Sequence, residues 1–189
     1  MGIMSEQSTT QPTYETLSID DTLELRAVTR EDAQTMFDLT VGNRQYLAKY
    51  LPWANETKSV NDSLAFIDAT DNKRINGAEY GFGIVVSGQI VGHISLMHLK
   101  DDKMPEIGYW IAESASGGGI TTKAAKTVTN FGLNTLGLNC ILIRAVPENT
   151  GSNKIAESLG YKLEEIVFDE KGLAHNHWVI RKSENHEKS

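Results

Sequence analysis

Residues 105–136, PEIGYWIAESASGGGITTKAAKTVTNFGLNTL, are the stretch around which this sequence is organised. The part from Glu106 to Ile111 mixes aromatic and β-branched residues, as a buried strand does. From Ile120 onward the apolar residues recur at helical spacing. The stretch therefore predicts a strand, a glycine turn and a helix in direct succession.

The glycine turn consists of Gly117, Gly118 and Gly119, which we call the glycine loop. Three residues without a Cβ let the backbone come close to a ligand, and the first N–H groups of the helix that follows have no partner inside it. Such a turn suits an anion, above all a phosphate or a pyrophosphate. The alternative is a tight connection that binds nothing.

Two familiar phosphate-binding motifs do not fit this loop. A nucleoside-triphosphate loop needs a lysine followed directly by Ser or Thr, whereas Lys123 is followed by Ala124. The dinucleotide fingerprint needs a third glycine where Thr122 stands. If the glycine loop binds phosphate, it is a loop of another type.

Length and composition predict one domain. The 189 residues suffice for a single core, and we expect it to span residues 16–182, between a disordered polar lead-in at 1–15 and a mobile tail at 183–189. The single cysteine, Cys140, lies in an apolar run and cannot form an internal disulfide. A reducing compartment, the cytoplasm, is therefore predicted.

The charge balance limits the classes of partner. A net charge of −7 argues against nucleic-acid binding, because no basic patch is available to neutralise phosphates. The same charge is compatible with a cationic substrate such as an amine. No apolar stretch approaches the length of a membrane span, so no membrane association is expected.

The remaining periodicity predicts an α+β domain with a mixed, mostly antiparallel central sheet flanked by helices. The predicted strands are residues 22–28, 80–86, 89–99, 104–111, 140–146, 161–168 and 174–181. The predicted helices are residues 29–41, 44–50, 60–72, 120–136 and 151–159. Residues 80–111 would form an antiparallel meander, and the strand at 140–146 would run parallel to the strand before the glycine loop.

This succession, condensed to β-α-α-β-β-β-α-β-α-β-β, and two local motifs together resemble the GNAT superfamily of acetyl-CoA-dependent N-acetyltransferases. Residues 112–122 resemble its pyrophosphate loop, although Ser114 stands where the family often has Gln or Arg. RAVPENTGSNKIAESLGY, residues 144–161, is similar to the Asn-x-x-Ser and Gly-Tyr pattern of the branch that contains ribosomal-protein N-terminal (serine/alanine) acetyltransferases. The sequence EIGYW from Glu106 onward fits the same branch, and the resemblance covers residues 23–180.

The resemblance implies acetyl-CoA as cosubstrate and no metal. The glycine loop and the start of the helix would bind the pyrophosphate, the end of the strand would pair with the pantetheine arm, and Asn149 would contact that arm. The implied cofactor-binding residues are Ile111, Ala112, Gly117, Gly118, Gly119, Ile120, Thr121, Thr122 and Asn149.

Two residues are candidates for catalysis. Ser152 resembles the family residue that hydrogen-bonds the sulfur and assists thiolate departure. Glu106 is the best candidate for the general base because it lies in the strand that leads to the glycine loop, and Glu164 is the second candidate. The alternative is that Asn149 and Ser152 only cap a helix and that Glu106 only orients a neighbour. His175 and His177 share one face of a strand, but nothing at ligand spacing supports a metal site.

The acceptor expected from this branch is the N-terminal α-amine of a ribosomal protein, which would attack the thioester directly. Deprotonating an α-amine at pH 7 costs about 1 kcal/mol, against about 4.6 kcal/mol for a lysine. Acetylation of a small amine, such as an aminoglycoside-like or polyamine compound, is one alternative, and a non-catalytic acyl-CoA sensor is another. A homodimer is expected from the family.

Overall fold

A computed structural model describes residues 16–182, and within them the central feature is an eight-stranded sheet with the order β1-β2-β3-β4-β5-β6-β8-β7. All neighbouring strands in it run antiparallel except β5 and β6. The strands are β1 Leu17–Ser18, β2 Leu23–Arg26, β3 Tyr80–Val86, β4 Gln89–Met97, β5 Glu106–Ile111, β6 Cys140–Ala145, β7 Lys162–Phe168 and β8 Ala174–Arg181.

Helices cover both faces of the sheet. They are α1 Ala33–Gly42, α2 Arg44–Leu47, α3 Val60–Ile75, α4 Ile120–Asn130 and α5 Thr150–Ser158. Short 3-10 turns lie at Arg30–Asp32, Pro52–Asn55 and Glu113–Ala115, and a π-helical turn, Phe131–Thr135, extends α4. The predicted fold class is confirmed. The structure adds the two-residue strand β1 and the π-helical end of the central helix.

The predicted lead-in at residues 1–15 and tail at 183–189 lie outside the described residues. The predicted domain limits therefore stay a prediction.

The two faces of the sheet carry separate cores. One face packs under α4 and α5, with Phe82, Ile94, Ile107, Val128 and Ile143 among its fully buried residues. The other face packs under α1 and α3 and holds the second cluster, whose members include Met36, Ile67, Val85, Ile90 and Trp110. Because successive side chains of a strand alternate between faces, neighbouring residues of β5 belong to different cores.

The pairing of β5 with β6 is short, and this shapes the site. The two parallel strands are in register at Glu106 and Leu142, where the Leu142 N–H donates to the Pro105 carbonyl at 2.8 Å. No further register pair between them occurs within residues 16–182 on the way to Ile111 and Ala145. The strands therefore leave a gap beside the end of β5.

Candidate active site

A cleft of about 1200 Å³ opens at this gap. Gly117 and Thr121 line one end of it, at the start of α4, whereas Trp53 and Phe66 line the side under the N-terminal helices. Tyr109 and Ser152 border it between these ends. The cleft is large enough for two substrates to meet in it.

The glycine loop at one end of the cleft has an open backbone. Gly117 and Gly119 adopt positive φ angles of 80° and 76°, which favour glycine. Gly118 has no such requirement, and a Cβ added at any of the three positions would have no atom of residues 16–182 within 4 Å, beyond its chain neighbours. The protein itself therefore gives no steric reason for glycine at position 118, and the loop has room for a ligand to approach.

Backbone donors at the start of α4 lie beside the glycine loop, and Thr121 among them borders the cleft. The first backbone bond of the helix runs from the Lys123 N–H to the Gly119 carbonyl at 3.0 Å, so the N–H groups of Ile120, Thr121 and Thr122 precede it at the helix end. The Lys123 ammonium lies 2.8 Å from Asp20, and this contact holds the pKa of the Asp20 carboxyl well below its usual range.

At the end of β5, Ile111 and Ala112 differ in how their backbone groups are used. Ala112 donates its N–H to the Val91 carbonyl at 2.8 Å and accepts from the Ala115 N–H at 3.0 Å. Since backbone groups alternate along a strand, the N–H groups of Tyr109 and Ile111 point to the other edge, toward the gap. Ile111 thus has the orientation that the predicted pantetheine contact needs, whereas both backbone groups of Ala112 are already bonded.

Asn149 and Ser152 lie at the start of α5. The Asn149 side chain caps this helix by accepting the Ser152 N–H at 3.1 Å. The hydroxyl of Ser152 points elsewhere, to the Tyr109 hydroxyl at an O–O distance of 2.8 Å. Burial raises the pKa of Tyr109 to about 12, and the hydrogen bond to Ser152 opposes this rise. Capping is therefore the role of Asn149 in the fold, but it is not the role of the Ser152 side chain.

The side chain of Glu106 lies on the face of β5 opposite to that of Tyr109, under α1 and α3. It is buried, lines the cleft and lies 3.3 Å from the guanidinium of Arg144, measured from Oε1 to Nη2. The second candidate base, Glu164, lies on the edge strand β7, outside the lining of the cleft. Its carboxylate is 2.7 Å from Arg181, which lowers the Glu164 pKa.

Of the two histidines on β8, His175 borders the cleft and lies 3.4 Å from Asp169, whereas His177 lies 3.3 Å from Glu165. In the described part of the chain, no group of three or more His, Cys, Asp or Glu residues is arranged to hold a metal ion.

Aromatic side chains form the wall of the cleft under α1 and α3. Trp53 packs edge-on against Trp110 with ring centroids 5.8 Å apart, so the loop tryptophan both borders the cleft and is anchored to the core. Phe66 packs in the same way on His93 at 5.1 Å. His93 is fully buried, and its Nε2 has no hydrogen-bond partner among residues 16–182; burial, assisted by the charge of Arg74, lowers the His93 pKa to about 3.

The comparison with known families agrees with this geometry. Residues 22–162 match the family model of the acetyltransferase (GNAT) domain. The chain belongs to the GNAT acetyltransferase family. It is accordingly an acyltransferase enzyme, as predicted.

Two curated relatives of this GNAT protein are similar over most of their length. YdaF of Bacillus subtilis strain 168, named provisionally as a ribosomal N-acetyltransferase, is 32% identical over 77% of this chain and 81% of its own. The ribosomal-protein-serine acetyltransferase of Escherichia coli K12 is 27% identical over 79% of this chain and 84% of its own.

Solved structures show the same fold. RimL, a ribosomal L7/L12 α-N-protein acetyltransferase in complex with coenzyme A, superposes with a TM-score of 0.83 at 20% identity over 88% of this chain and 98% of its own. The microcin C7 self-immunity acetyltransferase MccE, in complex with acetyl-CoA and AMP, superposes with a TM-score of 0.80 at 21% identity, covering 87% and 94% of the two chains.

Within residues 16–182 of this GNAT protein, none of the helices combines the length and the apolarity that crossing a membrane requires.

Several residues of the site did not emerge from the sequence. The tertiary structure was needed to identify Tyr109 as the partner of Ser152 and Arg144 as the partner of Glu106. It was also needed to identify the wall formed by Phe66 and His93. Only the role of Tyr109 could have been inferred from the sequence. Ile107, Tyr109 and Ile111 alternate on one face of a predicted buried strand, Tyr109 carries the only hydroxyl among these three, and a buried tyrosine hydroxyl usually has a hydrogen-bond partner.

Proposed function

We propose that this protein moves an acetyl group from acetyl-CoA to the N-terminal α-amine of a ribosomal protein by direct attack of the amine on the thioester. One observation carries the proposal: Gly117 of the glycine loop, Ser152 and Glu106 border the same cleft. The names of the Bacillus and Escherichia relatives supply the acceptor class.

The donor half of the cleft would bind acetyl-CoA through the backbone. Donors of the glycine loop and of the start of α4 would bind the pyrophosphate. The pantetheine arm would lie in the gap between β5 and β6, where Ile111 faces it and Asn149 borders it. A backbone N–H on this edge, that of Tyr109 or Ile111, would polarise the thioester carbonyl as the oxyanion develops.

The two candidate catalytic side chains approach from opposite sides of β5. Glu106, on the side of α1 and α3, accepts the proton of the ammonium, directly or through a water, and the neutral amine attacks the carbonyl carbon. Ser152, on the side of α5, donates a hydrogen bond to the sulfur as the carbon–sulfur bond breaks. The nucleophile and the leaving group are thus assisted separately.

An α-amine acceptor suits this site better than a lysine, because the site has to supply about 1 kcal/mol and not about 4.6 kcal/mol for its deprotonation at pH 7. A small-molecule amine remains the second candidate acceptor. A non-catalytic acyl-CoA sensor would need neither Ser152 nor Glu106, and the presence of both on the cleft favours an enzyme.

A thermal-shift titration tests the donor half. Acetyl-CoA at about a hundred times its dissociation constant should stabilise the protein by about 2.7 kcal/mol and raise the melting temperature by several degrees, whereas ATP should not. Gly118→Ala should weaken acetyl-CoA binding at least about tenfold, because the new methyl group would occupy the space of the pyrophosphate.

Gly42→Ala is the matched control for this experiment. Gly42 also lacks a positive φ and has open space around its Cβ position, but it lies at the end of α1. Unchanged acetyl-CoA affinity in Gly118→Ala would mean that the glycine loop is only a connection.

Turnover of a synthetic peptide with an N-terminal serine tests the catalytic half. Glu106→Gln should lower kcat by about a hundredfold or more, in the range of general-base catalysis. Glu164→Gln removes a carboxylate that lies outside the cleft and should leave kcat within about twofold. If the double variant Ser152→Ala, Glu106→Gln kept full turnover, the catalytic assignment would be wrong, although the acetyl-CoA site could stand.

The same proposal includes a cytoplasmic location, since the acceptor is a ribosomal protein, and a homodimer. Sedimentation of the purified full chain at micromolar concentration measures its oligomeric state. A monomer there would contradict the homodimer and leave the chemistry of the cleft unaffected.

A further inference from the structure

The hydroxyl of Tyr109 contacts the hydroxyl of Ser152 directly. The two hydroxyl oxygens are 2.8 Å apart, and either of them can be the donor. Tyr109 is half-buried, packs against the apolar core of the α4 side and borders the cleft. The hydroxyl of Ser152 is therefore held by a rigid strand as well as by its own helix.

The direction of this hydrogen bond decides what Ser152 can do. When Ser152 donates to Tyr109, its only proton is used and it has nothing to offer a sulfur atom. When Tyr109 donates to Ser152, the Ser152 proton is available for another acceptor, and accepting a hydrogen bond makes the Ser152 hydroxyl a better donor.

We propose that Tyr109 is a positioning residue for catalysis: it donates its hydroxyl proton to Ser152 Oγ and thereby directs the Ser152 hydroxyl to the sulfur of the leaving coenzyme A. The inference rests on the proposed acetyl transfer. It goes beyond that proposal by assigning a second hydroxyl to the departure of the thiolate.

The step needs hydrogen bonds but no net proton transfer through the pair. When the tetrahedral intermediate collapses, the carbon–sulfur bond breaks and its electron pair stays on sulfur. A thiol has a pKa of about 8.5, whereas the pKa of Tyr109 is raised to about 12, so the thiolate leaves without taking the phenol proton. Amide formation from an ammonium group releases two protons: Glu106, on the other face of β5, passes the first to water before the attack and takes up the second, which the attacking nitrogen loses as the intermediate collapses.

A double-mutant cycle on kcat separates this role from a structural one. Tyr109→Phe should lower kcat about five- to tenfold, the effect of one hydrogen bond, while the KM for acetyl-CoA stays within about twofold. Ser152→Ala should lower kcat at least as much. Because Tyr109 acts through Ser152, the double variant should be no slower than Ser152→Ala alone.

Tyr161→Phe provides the matched control. Tyr161 is a buried tyrosine whose hydroxyl, like that of Tyr109, bonds a side-chain hydroxyl, but its partner is Thr129, at 2.7 Å. Its variant should keep kcat within about twofold.

Three results would overturn the inference. The first is an unchanged kcat in Tyr109→Phe, and the second is a double variant in which the two losses in kcat multiply.

If Tyr109→Phe does not fold, a fluorinated tyrosine at position 109 replaces it. Its more acidic phenol should introduce a fall of kcat at alkaline pH that the wild type lacks, and the third overturning result is a profile identical to that of the wild type. Wild-type protein that binds acetyl-CoA but transfers no acetyl group would instead refute the proposed function, and this inference with it.

Discussion

The imidazole of His93 shows what a single residue does to this molecule. It is buried beside Arg74 and Phe66, its Nε2 has no hydrogen-bond partner in the described part of the chain, and its pKa is lowered to about 3. The folded protein therefore keeps His93 neutral where the unfolded chain, with a pKa of about 6.5, takes up a proton. The unfolded state binds more protons between these two values, so stability must fall as the pH falls through this window.

We predict that wild-type protein loses up to about 1.4 kcal/mol of its free energy of unfolding per pH unit from His93 as the pH falls from about 6.5 toward 3. His93→Leu removes the titrating group and should flatten this slope. Urea unfolding at a series of pH values measures it, with His98→Asn as a control for loss of a histidine. Equal slopes in wild type and His93→Leu would contradict the prediction.

At the scale of elements, the position of β5 depends on how closely it approaches β4. A Cβ on Gly92 would collide with the Trp110 carbonyl oxygen and come within 2.8 Å of the Ile111 Cα, both of which are backbone atoms. At Gly108, a glycine of β5 that pairs with Ser95, an added Cβ would meet the terminal methyl of Met97 at 2.9 Å. A side chain can rotate away, but the backbone of a paired strand cannot move without disturbing the edge that faces the gap.

Gly92→Ala should therefore lower the free energy of unfolding by about 1–3 kcal/mol, as overpacking does, whereas Gly108→Ala should change it by less than about 1 kcal/mol. Thermal or urea unfolding of the two variants decides the comparison. If both variants were equally stable, the close approach of β4 and β5 would not be what requires glycine at position 92.

At the scale of the whole molecule, both the chain and its cleft carry an excess of negative charge. The net charge is −7, and the side chains bordering the cleft include more carboxylates than cationic groups. The carboxylates are Glu56, Asp62, Glu79, Glu106 and Asp169, and the cationic groups are Lys73 and Arg144. Lys73 and Arg144 each pair with one carboxylate, at 2.8 and 3.3 Å, which leaves an acidic surplus. Such a surplus attracts cations over a distance that salt shortens.

For this reason kcat/KM for a peptide acceptor, measured at saturating acetyl-CoA, should fall several-fold between about 0.05 M and about 0.5 M salt. The fall should be steeper for a peptide with lysines after its N-terminal serine than for the same peptide with glutamates. Identical salt dependence for both peptides would contradict a steering role of the acidic cleft.

Much of the architecture could be predicted from local patterns. The capping boxes at Thr29 and Ser59, with Asp32 and Asp62 as their partners, mark the helix starts, and the meander of β3, β4 and β5 follows from alternation and a two-residue turn. The predicted helix from residue 120 ends in a π-helical turn at Phe131–Thr135. Gly132 lies in this turn and packs closely against the sheet, since an added Cβ would come within 2.6 Å of Ile141 Cδ1 and 3.1 Å of Leu96 Cδ2.

What the sequence by itself determined is the order of elements, the glycine loop and the membership in one family, because these depend on residue types at short separations along the chain. What only the tertiary structure decided is which side chains meet. Tyr109 and Ser152 are 43 positions apart in the sequence and meet only in the fold. Glu164 is a candidate base in the sequence, whereas in the structure it lies on the edge strand β7 and pairs with Arg181. Contacts of that kind depend on strand order and on which face each residue takes, and neither is encoded at short range.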